Sequence, residues 1–282
     1  MPPAEDTKAT TDRRLHPVNF PTIEGYRFLQ TIARSPNSEI HVAYSVELGH
    51  NVAVKVLRTG LLSGVGDEER FERERELLMR IKHPAIVDVY DWGRGEDFRY
   101  IVTEYFPSGS LELRIRNLIT ANDCVDIFVQ IAGALTALHS AGLCHRDLKP
   151  ANVMMRQNGR IVLIDFGLAK GIENSAPLTN AGEVRGSPYY ISPEQADGAA
   201  VDQRSDLYSL GVMFYEMLTG QRPFRGASII AILHSHRNDP IPALPPEHSR
   251  LQPLVERLLA KNPRDRFQSA ASALAELAKL KV

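Results

Sequence analysis

The residue pattern of this chain changes character once, at about Pro107. Before that point the runs RFLQTI, IHVAYSV, NVAVKVL, IVDVYDW and RYIVTEY are short and rich in β-branched and aromatic residues. Turn residues separate them, so they predict strands. One helix, at about Glu68–Lys82, interrupts the series. After Pro107, apolar residues at 125, 128, 131, 132, 135 and 138 form one face of a helix over Cys124–Ser140, ended by Gly142. Leu207–Leu218 is apolar on nearly all sides, which predicts a buried central helix ended by Gly220. Leu251–Leu259 and Ala270–Leu280 are further helices. The pattern predicts an α+β chain: a tail over 1–24, a small strand-rich lobe over 25–106, and a larger helical lobe over 107–282. A connector at 104–110 joins the lobes, and a ligand site is expected between them.

Composition excludes several classes. Hydrophobic residues make up 43% of 282, enough for a sizeable core. The net charge of −1 gives no field suited to nucleic acid or an anionic membrane. Cys124 and Cys144 belong to no Cys-x-x-Cys pair and read as reduced thiols in a reducing compartment. The N-terminal MPPAEDTKATTDRRLHP is polar, reads as disordered, and lacks the apolar stretch of a signal peptide. No consecutive apolar run reaches the roughly 18 residues that span a bilayer. The expectation is a soluble, cytoplasmic chain.

Within VMMRQNGRIVLIDFG, Asn158-Gly159 is a strong hairpin turn signal. A two-residue loop there pairs Gln157 with Arg160 and, counting outward, Asn152 with Asp165. That register puts both on one face, Cβ atoms roughly 5 Å apart. Two oxygen ligands so placed suit Mg²⁺ held jointly with phosphate oxygens. A slip of one residue would separate them. On the turn alone, an ordinary surface hairpin with a polar pair stays open.

The hairpin follows His145-Arg146-Asp147-Leu148-Lys149-Pro150-Ala151-Asn152. HRDLKPAN resembles the catalytic loop of eukaryotic-type (Hanks-type) serine/threonine protein kinases, particularly bacterial members, and DFG at 165–167 resembles their metal-binding motif. AVK at 53–55, Ser192-Pro193-Glu194, SDLYSLGVMFYEMLTGQRPF and NPRDRF extend the resemblance over about residues 25–280. It implies a two-lobed kinase fold with an antiparallel sheet in the small lobe, and transfer of the γ-phosphoryl group of ATP to Ser/Thr hydroxyls with Mg²⁺ or Mn²⁺. It implies protein substrates and admits a homodimer for trans-autophosphorylation.

Residue by residue, the resemblance gives Asp147 the substrate hydroxyl, Lys149 the transferring phosphate, and Asn152 and Asp165 the metal. Lys55 would hold the α- and β-phosphates, on a strand face shared with Ala53, whose small side chain leaves room for adenine. Glu74 falls in the stripe of Phe71, Leu78 and Ile81 and is the expected partner of Lys55, with a solvated pair to Arg70 as the alternative. Thr103 takes the gatekeeper position, and Glu104 and Phe106 the hinge. Ile32, Ala33, Ser35, Asn37, Ser38, Ile40 and Met154 complete the nucleotide site. Glu194 is expected to pair with Arg266.

Arg146 beside Asp147 marks the class controlled by activation-loop phosphorylation, with Lys170 as a second phosphate ligand. Ser175, Thr179 and Ser187 are the acceptors, Thr179 the best matched; the alternative is an unmodified Thr179. Ser187, before Pro188, resembles instead the structural hydroxyl near the catalytic aspartate. Ser110 and Ala151 stand where basophilic relatives carry acids, so no strong demand for arginine three residues before the acceptor is expected.

One segment departs from the family. Where relatives carry G-x-G-x-x-G-x-V, this chain has Ala33-Arg34-Ser35-Pro36-Asn37-Ser38-Glu39-Ile40. Pro36 has no N–H. Losing one hydrogen bond to a charged group costs about 1.5–3 kcal/mol, roughly 10- to 150-fold in affinity, part of which the Ser35 or Ser38 hydroxyl is expected to recover. The degenerate loop also keeps open a pseudokinase that senses nucleotide or acts as a scaffold. A phosphotransferase acting on small molecules is a third alternative, against which the Leu148-Lys149-Pro150 triplet argues.

Overall fold

Alternation along the valine-rich runs builds a five-stranded antiparallel sheet in a computed structural model of the chain, which describes residues 20–35, 38–58, 76, 79–116, 119–165 and 188–280. The strands are β1 (Tyr26–Arg34), β2 (Ser38–Ser45), β3 (His50–Arg58), β4 (Val89–Arg94) and β5 (Phe98–Glu104), in spatial order β1-β2-β3-β5-β4. In β3, Val52, Val54 and Val56 point into the small core, which turns Ala53 and Lys55 to the opposite face. Phe20 and Ile23, assigned to the tail on composition, pack on this sheet: Phe20 stacks on Phe28 at 5.7 Å between centroids, and Ile23 joins the buried cluster.

The run IVDVYDW becomes a sheet strand only from Val89. Its first residues are taken by the other lobe: Val87 N–H donates to Leu163 O, Leu163 N–H donates to Ala85 O, and Ile86 and Val87 join the larger core. Of the helix expected at Glu68–Lys82, Glu76, Met79 and Arg80 are helical, and most of the rest, Glu74 included, lies outside the described residues.

The larger lobe is built on α1 (Leu111–Ile115), α2 (Ala121–Ser140), a hairpin of β6 (Val153–Met155) and β7 (Ile161–Leu163), α3 (Pro193–Ala196) and α4 (Gln203–Thr219). It continues with α5 (Ile229–Asn238), α6 (Gln252–Leu258) and α7 (Ala270–Lys279). Thr120 caps α2 by accepting from Asp123 N–H, and Gly142, at φ +77°, follows its end. By length and composition alone α2 could cross a membrane, but its apolar face lies in the core, with Phe128 4.7 Å from Phe214 of α4. Helix α4 is buried from Ser205 to Leu218, as its all-round apolar sequence predicts, and stops at Gly220 with φ +66°. Gly211 lets α6 approach it: a Cβ there would lie 2.7 Å from that of Leu258. The shared core therefore fixes α4 in place, and α4 carries the support for the site above it.

Candidate active site

A cleft of about 660 Å³ opens between the lobes. Ile32, Ala33, Ile40, Ala53 and Lys55 form its roof, Thr103, Glu104 and Phe106 its inner wall, and Asn152, Met154 and Asp165 its floor. The sequence had named all of these. It had not named Val87, Val89, Ile101 and Leu113, which also line the cleft. They are ordinary apolar residues on separate elements, so only the folded chain reveals their common surface.

The hairpin register differs from the expected one by a residue. Val153 pairs with Leu163, Met154 with Val162 and Met155 with Ile161, and Arg156 N–H donates to Arg160 O. The loop therefore has three residues, Gln157-Asn158-Gly159, with Gly159 alone at positive φ, +78°. A two-residue type I′ turn would require positive φ at Asn158 as well, and Asn158 does not have it. The residue opposite Asn152 is thus Ile164, whose N–H donates to Asn152 O. Asp165 still reaches the cleft, because the backbone breaks from extended geometry there at φ +57°. Asn152 likewise sits in a 3₁₀ turn over Pro150–Asn152 rather than in the strand. The two residues share the cleft through bends at both ends of the hairpin, not through cross-strand pairing.

Lys55 Nζ donates to Asp165 Oδ1 at 2.6 Å. Asp165 is the anion set against Lys55; the expected contact with Glu74 lies outside the described residues. Lys149 Nζ donates to Asp147 Oδ2 at 2.9 Å. Asn152 Nδ2 donates to Asp147 O at 2.8 Å and to Asp147 Oδ2 at 3.2 Å. With its amide nitrogen so used, Asn152 keeps its carbonyl oxygen for a cation, and Asp165 keeps Oδ2. This is the oxygen set a hard divalent ion takes.

Asp206, which the sequence reading did not single out, supports this loop. It accepts from His145 N–H and Arg146 N–H at 2.8 Å each, and pairs with His139 Nε2 at 2.8 Å. Gln195 Nε2 donates to Arg146 O at 3.0 Å. These bonds hold Arg146 at φ +62°; with Asp165 it forms the pair of non-glycine residues at positive φ among those described. Such conformations cost about 1–3 kcal/mol and persist only where the surroundings over-determine them. In the sequence Asp206 closes the polar stretch Asp202-Gln203-Arg204-Ser205 just ahead of the apolar run Leu207–Leu218, so nothing local marks it as buried. Burial pushes the His145 imidazole below its ordinary pKa, so it is neutral at pH 7.

The expected Glu194–Arg266 pair is present, buried and bidentate, at 2.7 and 2.8 Å. Ser205 also donates to Glu194, and Arg266 donates to the carbonyls of Ala260, Lys261 and Arg204.

In the phosphate-loop segment, Ser35 and Ser38 close on each other. Ser35 N–H donates to Ser38 O at 2.8 Å, Ser38 N–H donates to Ser35 Oγ at 3.0 Å, and the hydroxyls lie 2.8 Å apart. The hydroxyls expected to serve a phosphate are thus engaged within the loop. Pro36, Asn37, Lys170, Ser175, Thr179 and Ser187 lie outside the described residues.

The chain belongs to the protein kinase domain family, which it matches over residues 26–277. It is 39% identical over 252 residues to the serine/threonine-protein kinase PknB of Mycobacterium leprae, covering 85% of this chain and 40% of that protein. It is 40% identical over 252 residues to PknB of Mycolicibacterium smegmatis, again covering 85% and 40%. The chain therefore spans about two fifths of the length of these curated relatives. The crystal structure of the Mycobacterium tuberculosis PknI kinase domain superposes with a TM-score of 0.71 at 27% identity, covering 92% of this chain and 97% of that one.

Proposed function

We propose that this chain is an ATP-dependent protein kinase that phosphorylates Ser and Thr hydroxyls of protein substrates. The observation that carries the reading is Asp147 bonded by both Lys149 and Asn152, on a loop whose His145 and Arg146 amides Asp206 holds, below a cleft that contains the Lys55–Asp165 pair. Asp147 accepts the proton of the substrate hydroxyl as its oxygen bonds to the γ-phosphorus. The bond from that phosphorus to the β–γ bridging oxygen breaks, and ADP leaves. Lys149 neutralises charge on the group in transit, and Lys55 steadies the phosphates behind it. Asn152 and Asp165 would hold Mg²⁺ or Mn²⁺, which supplies charge neutralisation to the phosphate oxygens. Thr103, Ala53 and Met154 border the space for the base.

Phosphorylation at Thr179, read out by Arg146 and Lys170, is proposed as the switch, with Ser175 as a further acceptor. A homodimer would phosphorylate itself in trans. The engaged Ser35–Ser38 loop favours the second reading, a nucleotide-sensing or scaffolding pseudokinase.

One experiment separates these readings. The protein is incubated with radiolabelled ATP and Mg²⁺ or Mn²⁺ beside Asp147→Asn, and labelled sites are mapped before and after phosphatase. Transfer by the wild type, lost by about 10²-fold or more in Asp147→Asn, is expected, since general-base catalysis contributes on that scale. Label at Thr179, with activity lost on dephosphorylation, is expected as well. ATP binding without transfer would establish the pseudokinase, and full activity of unmodified protein would remove the switch.

A further inference from the structure

Arg156 leaves the end of β6 and reaches two other segments of the chain. Its Nε donates to Glu104 Oε1 at 3.0 Å and its Nη2 to Glu104 Oε2 at 2.6 Å. Its Nη1 donates to Pro84 O at 2.9 Å. One guanidinium therefore joins the last residue of β5, the turn ahead of β4, and the β6–β7 hairpin. The hairpin is a fixed post: Met155 N–H donates to Gly109 O, and β7 exchanges backbone bonds with Ala85 and Val87. Glu104 is the last residue of β5, in register with Val52 of β3, and the chain leaves the sheet directly after it to become the connector. Thr103 and Phe106, on either side of it, line the cleft opposite Met154, two residues before Arg156.

We infer that Arg156 is a positioning residue for the nucleotide: by clamping Glu104 in a planar fork it sets the course of the connector and so the wall of the cleft. A bidentate guanidinium–carboxylate pair fixes orientation as well as distance, which a lysine's point charge does not. Without the clamp, the connector samples other courses. A ligand that needs one of them then binds more weakly in proportion to the fraction that remains. The pair is more than a quarter exposed on both sides, so solvent screening limits the effect. The inference rests on the reading of the cleft as the nucleotide site.

The test uses the full chain with Arg156→Ala, Arg156→Lys and the exchanged pair Arg156→Glu with Glu104→Arg. ATP affinity is measured by direct binding, kcat and KM by phosphotransfer, and amide hydrogen exchange over residues 103–107 without nucleotide. Arg156→Ala should weaken ATP binding about 3- to 10-fold and raise KM with kcat changed less than about twofold. It should also speed exchange at 103–107. Arg156→Lys should lie between, and the exchanged pair should recover part of the loss. Unchanged connector exchange with unchanged ATP affinity would overturn the inference, even if Arg156→Ala is less stable. Failure of the wild type to bind ATP would instead overturn the proposed function, and connector exchange would still decide whether Arg156 holds Glu104.

Discussion

Below the cleft, Asp206 spends its carboxylate on two backbone amides and a histidine, Gln195 reaches over from α3, and Glu194–Arg266 closes the layer beneath. Above it, at the turn between β1 and β2, exposed Ser35 and half-buried Ser38 bond to each other. The floor is thus held by buried groups on several elements, and the phosphate-loop end of the roof by one turn. The difference matters because buried polar groups cannot relax into water when a partner is removed, whereas those of the turn can. Substitutions in the floor should therefore affect stability and chemistry together. Those in the turn should affect ligand affinity alone.

The largest effect is expected at Asp206. Asp206→Ala leaves two amides and His139 without their acceptor, at a cost of about 3–6 kcal/mol if each loss is worth 1–3 and some relaxation occurs. That is a large part of the stability of an ordinary domain. Asp206→Asn keeps one carbonyl oxygen as acceptor and should fold with a smaller loss. In it, Arg146 is less firmly held and Asp147 shifts, so kcat should fall by about 10²-fold, the scale of a small misplacement. Denaturant unfolding and steady-state kinetics on the two variants check this. A stable Asp206→Asn with wild-type kcat would show that the loop needs no such support.

The second effect is at Glu194–Arg266. Burial pushes the Glu194 carboxyl up, but hydrogen bonds from Arg266 and Ser205 outweigh it and leave its pKa below the ordinary value. A depressed carboxylate contributes stability that is present above its unfolded pKa and lost as pH falls through its folded one. Arg266→Met should destabilise by about 3–5 kcal/mol, because it strands a buried charge. The gap between wild type and Glu194→Gln in denaturant midpoint should be constant near neutrality and shrink below about pH 4, where free glutamate protonates. A gap that does not change with pH would mean that the carboxylate's charge contributes nothing.

Floor and roof also differ in how far the sequence discloses them. The strands of the small lobe, the buried α4 and the stops at Gly142 and Gly220 are local features, set by alternation, all-round apolarity and left-handed glycines. The cleft residues followed from family motifs. The hairpin register did not, because Asn-Gly fits both a two-residue loop and a three-residue loop with glycine alone at positive φ, and only the packing of both strands decides between them. The expected pairing of Asn152 with Asp165 was wrong in mechanism although both residues lie in the cleft. Asp206 and the Arg156–Glu104 clamp escaped notice for another reason. Each joins residues fifty or more positions apart, and one polar side chain does not disclose a partner at that distance. The boundary of β4 shifted because Ile86 and Val87, apolar enough for a strand, found β7 instead.

The smallest effect belongs to the roof and bears directly on the lost glycines. Ser35 N–H is committed to Ser38 O, Ser38 N–H to Ser35 Oγ, and Pro36 has no N–H to give. A phosphate entering here must compete with the Ser35 hydroxyl for the Ser38 amide. Ser35→Ala removes the competitor and leaves the backbone bond between the two residues in place. ATP affinity should then rise by about threefold, the scale of a net exposed hydrogen bond, while adenosine affinity stays constant. The ratio of the two affinities is the decisive quantity, since it cancels any change in the pocket for the base. Pro36→Ala restores an N–H, and a larger gain there than at Ser35 would make the missing donor, rather than the occupied one, the weaker part of the roof. If neither substitution moves the ratio, the loop does not touch the phosphates, and the grip on ATP resides in Lys55 and the floor.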